Sequence, residues 1–228
     1  MTAKRVKIKV KKKKISYRKV VIALLAFLCL SLFAVYIVRM PVKNIYIIGN
    51  RILSDKKVIS ISGLGDYPTY LNTYFMDIKS KLLENDYVKT VKIKRKFPNT
   101  LYIELEEYKP IAIFEDKVIL SSSKMVNNDL EIDYLPYLVN SVKEVYDDFV
   151  NAFSKIDDDV LLKISQIEYS PNDVDKKRFI LYMVDSNYVY VTLTRIEKVN
   201  KYNSIISELD GKKGIIYLDS GDYVEIKD

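Results

Sequence analysis

Val88-Lys89-Thr90-Val91-Lys92-Ile93-Lys94, Arg95-Lys96-Phe97-Pro98-Asn99 and Thr100-Leu101-Tyr102-Ile103-Glu104-Leu105-Glu106 form the stretch on which the fold turns. The outer segments alternate apolar and polar side chains, the period of a strand with one face buried. Phe97-Pro98-Asn99 supplies turn chemistry between them, so the stretch predicts a β-hairpin. Upstream, Lys43 to Ile48 reads as a further strand that ends at Gly49-Asn50, a pair tolerant of positive φ. Ser54-Asp55 caps a short helix carrying Val58, Ile59 and Ile61, terminated by Gly63 and Gly65, and a second helix is expected over Asp77 to Asn85. Strand, helix, helix, strand, strand predicts an α+β unit in which two helices cover one face of a three-stranded sheet.

Further upstream, Val20 to Val38 holds no charged residue. At 1.5 Å per residue this run spans roughly 28 Å, close to the ~30 Å hydrocarbon core of a bilayer. Its Val, Ile, Leu and Phe side chains contribute on the order of −4 to −8 kcal/mol to insertion. A cleaved signal peptide is the alternative, but the large side chains of Tyr36-Ile37-Val38-Arg39-Met40-Pro41 fit a signal peptidase cleft poorly. Leu28 before Cys29 likewise makes a poor lipidation box.

The chain has 228 residues and a formal charge of +7, with ten basic residues between Met1 and Lys19 and no acid before Asp55, so the remainder carries −3. This is a basic tail on a mildly acidic body, which argues against a nucleic-acid partner for the folded part. Ten basic residues before the apolar run, against Arg39 and Lys43 just after it, predict a cytoplasmic N-terminus and extracytoplasmic C-terminal domains, a single-pass type II arrangement.

The sequence has no histidine and a single cysteine, Cys29. The commonest general base and zinc ligand are therefore missing, and neither a disulfide framework nor a thiolate metal site is available. No cofactor, metal or catalytic residue is expected. The acids Glu104, Glu106, Glu107 and Asp157-Asp158-Asp159 are candidates for paired glycosidase carboxylates. Strand alternation makes Glu104 and Glu106 solvated edge residues instead, and Asp157 to Asp159 read as surface. Ser121-Ser122-Ser123-Lys124 reads as a loop.

Ile47-Ile48-Gly49-Asn50 followed by Ser54, together with Arg95-Lys96-Phe97-Pro98-Asn99-Thr100-Leu101 and Glu107-Tyr108-Lys109-Pro110-Ile111-Ala112, resemble the POTRA domain of the FtsQ/DivIB cell-division proteins. Asp86 departs from the proline common in that family. The likeness continues through Leu135-Pro136-Tyr137-Leu138, with Asn140 where glycine is common. An amphipathic stretch follows, bearing Val142, Val145, Tyr146, Phe149, Phe153, Ile156 and Val160. Ile167 to Tyr169, Phe179 to Val184 and Tyr188 to Thr192 read as strands, Ile196 to Leu209 as a helix, and Gly214 to Leu218 and Tyr223 to Ile226 as the final strands.

The expected architecture is therefore α+β: a tail over 1–19, a transmembrane helix over 20–38, a POTRA domain over 41–112 and a mixed α/β, β-rich domain over 113–228. The resemblance implies a divisome scaffold at the septum that binds FtsL-like and FtsB/DivIC-like partners and helps regulate the septal peptidoglycan synthase complex. It places partner contacts on Ile216, Tyr217, Leu218, Asp219, Ser220, Gly221 and Tyr223, and recruitment contacts of the POTRA domain near Ile48, Gly49, Asn50 and Ser54. A membrane-anchored wall hydrolase and a POTRA-containing translocation or assembly component are the rival readings.

Overall fold

The computed structural model describes residues 16–65, 68–69 and 73–226; most of the basic tail lies outside these residues. Helix α1 spans Tyr17–Val38 and buries no residue against the rest of the chain. A helix apolar on every side with no protein against it has the surface of a membrane span, and it is the one helix among the described residues long and apolar enough to cross a bilayer.

Strand β1 (Asn44–Ile48), helices α2 (Asp55–Ser62) and α3 (Phe75–Leu83), and strands β2 (Val88–Lys96) and β3 (Thr100–Glu107) follow in the expected order. Ser54 Oγ accepts from the Lys57 N–H at 3.3 Å to cap α2, and Gly63 closes it in the left-handed conformation. The sheet order is β1-β3-β2, with β1 parallel to β3 and β2 antiparallel to it. Leu101, Ile103 and Leu105 meet Val58, Ile78 and Leu82 in the core. One expectation needs correcting. Glu104 and Glu106 lie on the central strand, because parallel pairing with β1 closes the side of β3 that the hairpin leaves open; Lys94 and Lys89 pair with them across the exposed face.

The chain enters a second sheet of nine strands at β4 (Pro110–Phe114), followed by β5 (Lys117–Leu120), β6 (Met125–Asn127), β7 (Tyr137–Leu138), β8 (Ile164–Tyr169), β9 (Arg178–Met183), β10 (Tyr188–Thr192), β11 (Gly214–Tyr217) and β12 (Tyr223–Ile226). Their order is β12-β11-β10-β9-β8-β7-β4-β5-β6. Phe149 and Phe153 of α4 (Tyr146–Phe153) pack on Phe179 of β9, with Phe149–Phe153 centroids 4.4 Å apart. Val199 from the 3-10 helix Leu193–Lys201 and Tyr202 from α6 (Tyr202–Glu208) belong to the same core.

The amphipathic stretch beginning at Val142 is not one helix. A 3-10 turn (Lys143–Val145) precedes α4, and α5 (Asp158–Leu161) starts afresh after an extended Asp157. Ser154 Oγ donates to the Val150 carbonyl at 2.6 Å, and Asn200 serves the break from outside, donating to the Lys155 carbonyl and accepting from the Asp157 N–H. The backbone groups freed at the interruption are thus satisfied, so Ile156 can still bury itself there.

Candidate partner-binding surface

The final hairpin puts the residues singled out in the sequence on two opposite faces. Ile216 and Leu218 point into the core, 1% and 5% exposed, so their side chains are withheld from a partner. Tyr217 and Tyr223 lie on the other face. Registers Tyr190↔Tyr217 and Tyr217↔Tyr223 align three tyrosines across β10, β11 and β12. Their rings stack at 5.2 and 4.6 Å between centroids, and the Arg178 guanidinium caps the row 4.4 Å above Tyr190. Stacked in this way, the rings spend their faces on one another.

The turn between β11 and β12 is held from below. Arg178 Nε donates to Asp219 Oδ2 at 2.8 Å in a pair mostly shielded from water, and Arg195 donates to the Asp219 carbonyl at 3.0 Å. Asp222 pairs with Lys198 and Arg195; the hydrogen bond from Lys198 and the Arg195 charge hold its carboxyl below the ordinary range. Ser220 and Gly221 project from this tethered turn and are exposed. Asp219 is therefore an anchor of the turn.

A buried polar cluster fixes the start of β11. Tyr202 donates to the Asp185 carboxylate at 2.7 Å, Asn187 Nδ2 donates to the Tyr202 hydroxyl at 3.2 Å, and Asn187 Oδ1 accepts from the Gly214 N–H at 2.8 Å. A Cβ at Gly214 would come within 2.4 Å of the Glu225 carbonyl oxygen, so only glycine lets β12 lie this close. β11 is bonded on both sides, while β12 ends the sheet. The backbone open to a partner belongs to Tyr223–Ile226, and Tyr223 is half exposed.

Burial and the Asp185 bond push the Tyr202 phenol well up, and Tyr182 is pushed up to about 12 chiefly by its 2.5 Å bond to Glu168. Unfolded tyrosines titrate near 10. The native state thus holds these protons more tightly. The stability they contribute is complete below pH ~10 and drains as pH rises towards ~12. Thermal midpoints measured from pH 8 to 12 are expected to fall steeply above pH ~10, and Tyr182→Phe to make that fall shallower.

The residues marked for recruitment sit at the end of β1 away from α1. Ile48 is exposed, whereas Gly49 holds φ +89 against β3, Asn50 donates to the Leu53 carbonyl and to Asp55, and Ser54 caps α2. Glu107, one of the candidate paired carboxylates in the sequence, is claimed by the loop beside them. Its carboxylate accepts the N–H groups of Arg51 and Ile52 at 2.8 Å and of Leu53 at 3.0 Å. Glu107→Ala strands those donors and is expected to cost about 1–3 kcal/mol, read as a lowered urea midpoint.

Asp158, read as surface without a partner, instead bridges the two sheets. It pairs with Lys109 at 2.7 Å and Arg51 at 3.1 Å beside a cleft of about 420 Å³. Lys109 also donates to the Ile156 carbonyl. Periodicity could not have found these pairs, because more than a hundred residues separate Arg51 from Asp158 in sequence. In the serine loop, Ser121 Oγ accepts the Lys109 N–H and Lys124 pairs with Asp86. Of the acids and the lysine that a hydrolytic reading would recruit, Glu104, Glu106, Glu107, Asp158, Asp159 and Lys124 all have partners within the fold.

Residues 40–108 match the family model for the POTRA domain, FtsQ-type. Along nearly the whole chain there is also similarity to the cell division protein DivIB of Bacillus subtilis (strain 168), 30% identical over 231 residues that cover 96% of this chain and 88% of that protein. The chain belongs to the DivIB family. DivIB of Bacillus anthracis is 29% identical over 95% of this chain and 86% of its own length. Among solved structures there is similarity to the major extracytoplasmic domain of the trans isomer of DivIB from Geobacillus stearothermophilus, with 22% identity, TM-score 0.39, and coverage of 46% of this chain and 96% of that one. As a DivIB family member the chain is a cell division protein. Its apolar N-terminal helix, POTRA domain and β-rich C-terminal region form a mixed α and β architecture.

Proposed function

We propose that this chain is a non-catalytic scaffold of the division machinery, anchored by α1, that captures a partner strand on the open edge of β12. The N-terminal tail lies in the cytoplasm and both sheets lie outside the membrane, with the domain junction, expected at 112/113, drawn back to Tyr108-Lys109 because β4 (Pro110–Phe114) pairs with β5 and β7. The partners are the FtsL-like and FtsB/DivIC-like division proteins, through which the scaffold acts on septal peptidoglycan synthesis. The observation that carries the reading is a short terminal strand with one unbonded side, flanked by Tyr217 and Tyr223 and braced by Arg178, Arg195 and Lys198. Strand addition uses such an edge: main-chain bonds supply affinity and alternate side chains supply selectivity. The POTRA unit contributes to recruitment through the loop from Ile48 to Ser54.

Successive N–H groups along a strand point to opposite sides, so of Val224 and Glu225 one faces β11 and the other the open edge. Val224→Pro and Glu225→Pro are each made in the full chain and co-purified with tagged partners. The proline at the outward position is expected to abolish capture while leaving the thermal midpoint close to wild type. Undiminished capture by both variants rules out the edge. The enzyme reading makes the opposite forecast, release of sugars or peptides from peptidoglycan by the purified chain.

A further inference from the structure

We propose that the end of the POTRA sheet nearest α1 rests in the lipid headgroup layer, with Phe97, Tyr74 and Met76 dipping into it and Arg39, Lys43 and Lys96 meeting anionic headgroups. The proposal rests on α1 spanning the bilayer and adds to that reading a second, peripheral membrane contact.

The topology dictates which end of the sheet faces the membrane. Only residues 39–43 separate α1 from β1, and they form no free linker. Arg39 N–H still donates to the Val35 carbonyl, Val42 N–H donates to the Pro68 carbonyl, and Lys43 N–H to the Asn99 carbonyl, the last two at 2.9 Å. β1 therefore begins at the bilayer and runs away from it. Since β3 is parallel to β1, its first residue Thr100 lies beside Asn44, and the β2–β3 turn at Phe97-Pro98-Asn99 must face the membrane. The start of α3 is brought to the same end by Arg95, which donates to the Thr73 carbonyl at 2.9 Å and lies 4.7 Å over the Phe75 ring.

Two separate segments thus deliver large apolar side chains to one end: Phe97 is 65% exposed, Tyr74 67% and Met76 77%. Scattered exposed apolar residues are ordinary on a soluble surface. Three that converge where the chain leaves a bilayer match the interfacial belt, in which amphipathic side chains sit at headgroup level. The headgroup layer is several Å deep on each side, enough to take a turn tied this closely to the helix end. Arg39, Lys43 and Lys96 are exposed around the patch, the pattern that draws a surface to anionic lipid. The bilayer is favoured over a protein as occupant because the membrane helix itself holds the patch there.

The chain contains no tryptophan, so one introduced residue is a unique tryptophan, excited selectively at the red edge where tyrosine does not absorb. Full-length Phe97→Trp, Phe27→Trp and Tyr223→Trp are reconstituted separately in nanodiscs of mixed zwitterionic and anionic lipid, with and without bromine on the upper acyl chain. Phe97→Trp is expected to emit to the blue of Tyr223→Trp and to lose emission in brominated lipid, a loss that shrinks in Lys43→Glu/Lys96→Glu. Met76→Trp, on the other segment, should behave the same way and stands in if Phe97→Trp does not fold. Quenching of Phe27→Trp with none at positions 97 and 76 overturns the inference and leaves the anchor intact. Shielding of those positions that appears only when a division partner is added also overturns it, in favour of a protein surface. An unquenched Phe27→Trp defeats the anchor reading, and this inference with it.

Discussion

Phe153→Ala is expected to cost about 3–5 kcal/mol of stability, among the largest losses a single truncation can cause in this chain. Phe153 is fully buried between Phe149 and Phe179, and its ring meets theirs at 4.4 and 5.6 Å. It joins the helical layer to the nine-stranded sheet. Removing the ring loses its transfer free energy and leaves a cavity beside Phe149 of the same helix and Phe179 of β9, whose positions are fixed by their own elements. A urea titration of the full chain in detergent should show a lower midpoint with an unchanged slope. Phe153→Leu, which keeps much of the volume, should lose about 1.5 kcal/mol. Ile180→Ala, on the outer face of β9, should lose less than Phe153→Ala.

Gly49→Ala is the second large effect, and it acts through the backbone. A Cβ at this position would lie 2.1 Å from the Leu105 carbonyl oxygen, and the residue already holds φ +89. Leu105 is on the central strand, so that oxygen cannot retreat without parting β3 from a neighbour. Strain and overlap together are expected to cost about 2–5 kcal/mol. Gly65→Ala is the control, because no atom lies within 4 Å of its added Cβ. If Gly49→Ala left the urea midpoint where Gly65→Ala leaves it, the close approach of the two strands would be wrong.

Much of this fold is legible in the chain because strands with one dry face announce themselves. Val91 to Lys96, Thr100 to Leu105 and Tyr188 to Val191 alternate and form strands as read, while an irregularity between Val88 and Thr90 interrupts the period at the start of β2. β4 is different. Pro110 to Ile113 are all buried, so the segment has no polar side to mark a period of two. β7 is two residues long and exists only because β4 and β8 flank it. The proposed contact surface was legible only as a pattern: alternation puts Tyr217 on the face opposite Ile216 and Leu218, but nothing local says which face is buried or that β12 ends the sheet. The roles of Glu107 and Asp158 are set by partners dozens of residues away, and only the folded chain brings these together.

The strand order of the larger sheet also fixes a length. Six steps separate β4, where the chain enters that sheet, from β12 at its end. At ~4.8 Å a step this is roughly 29 Å, measured sideways from the junction with the POTRA unit. A partner strand added to β12, as proposed above, therefore sits at the far margin of this sheet from the POTRA junction, and the width of the sheet keeps the two proposed contact regions apart.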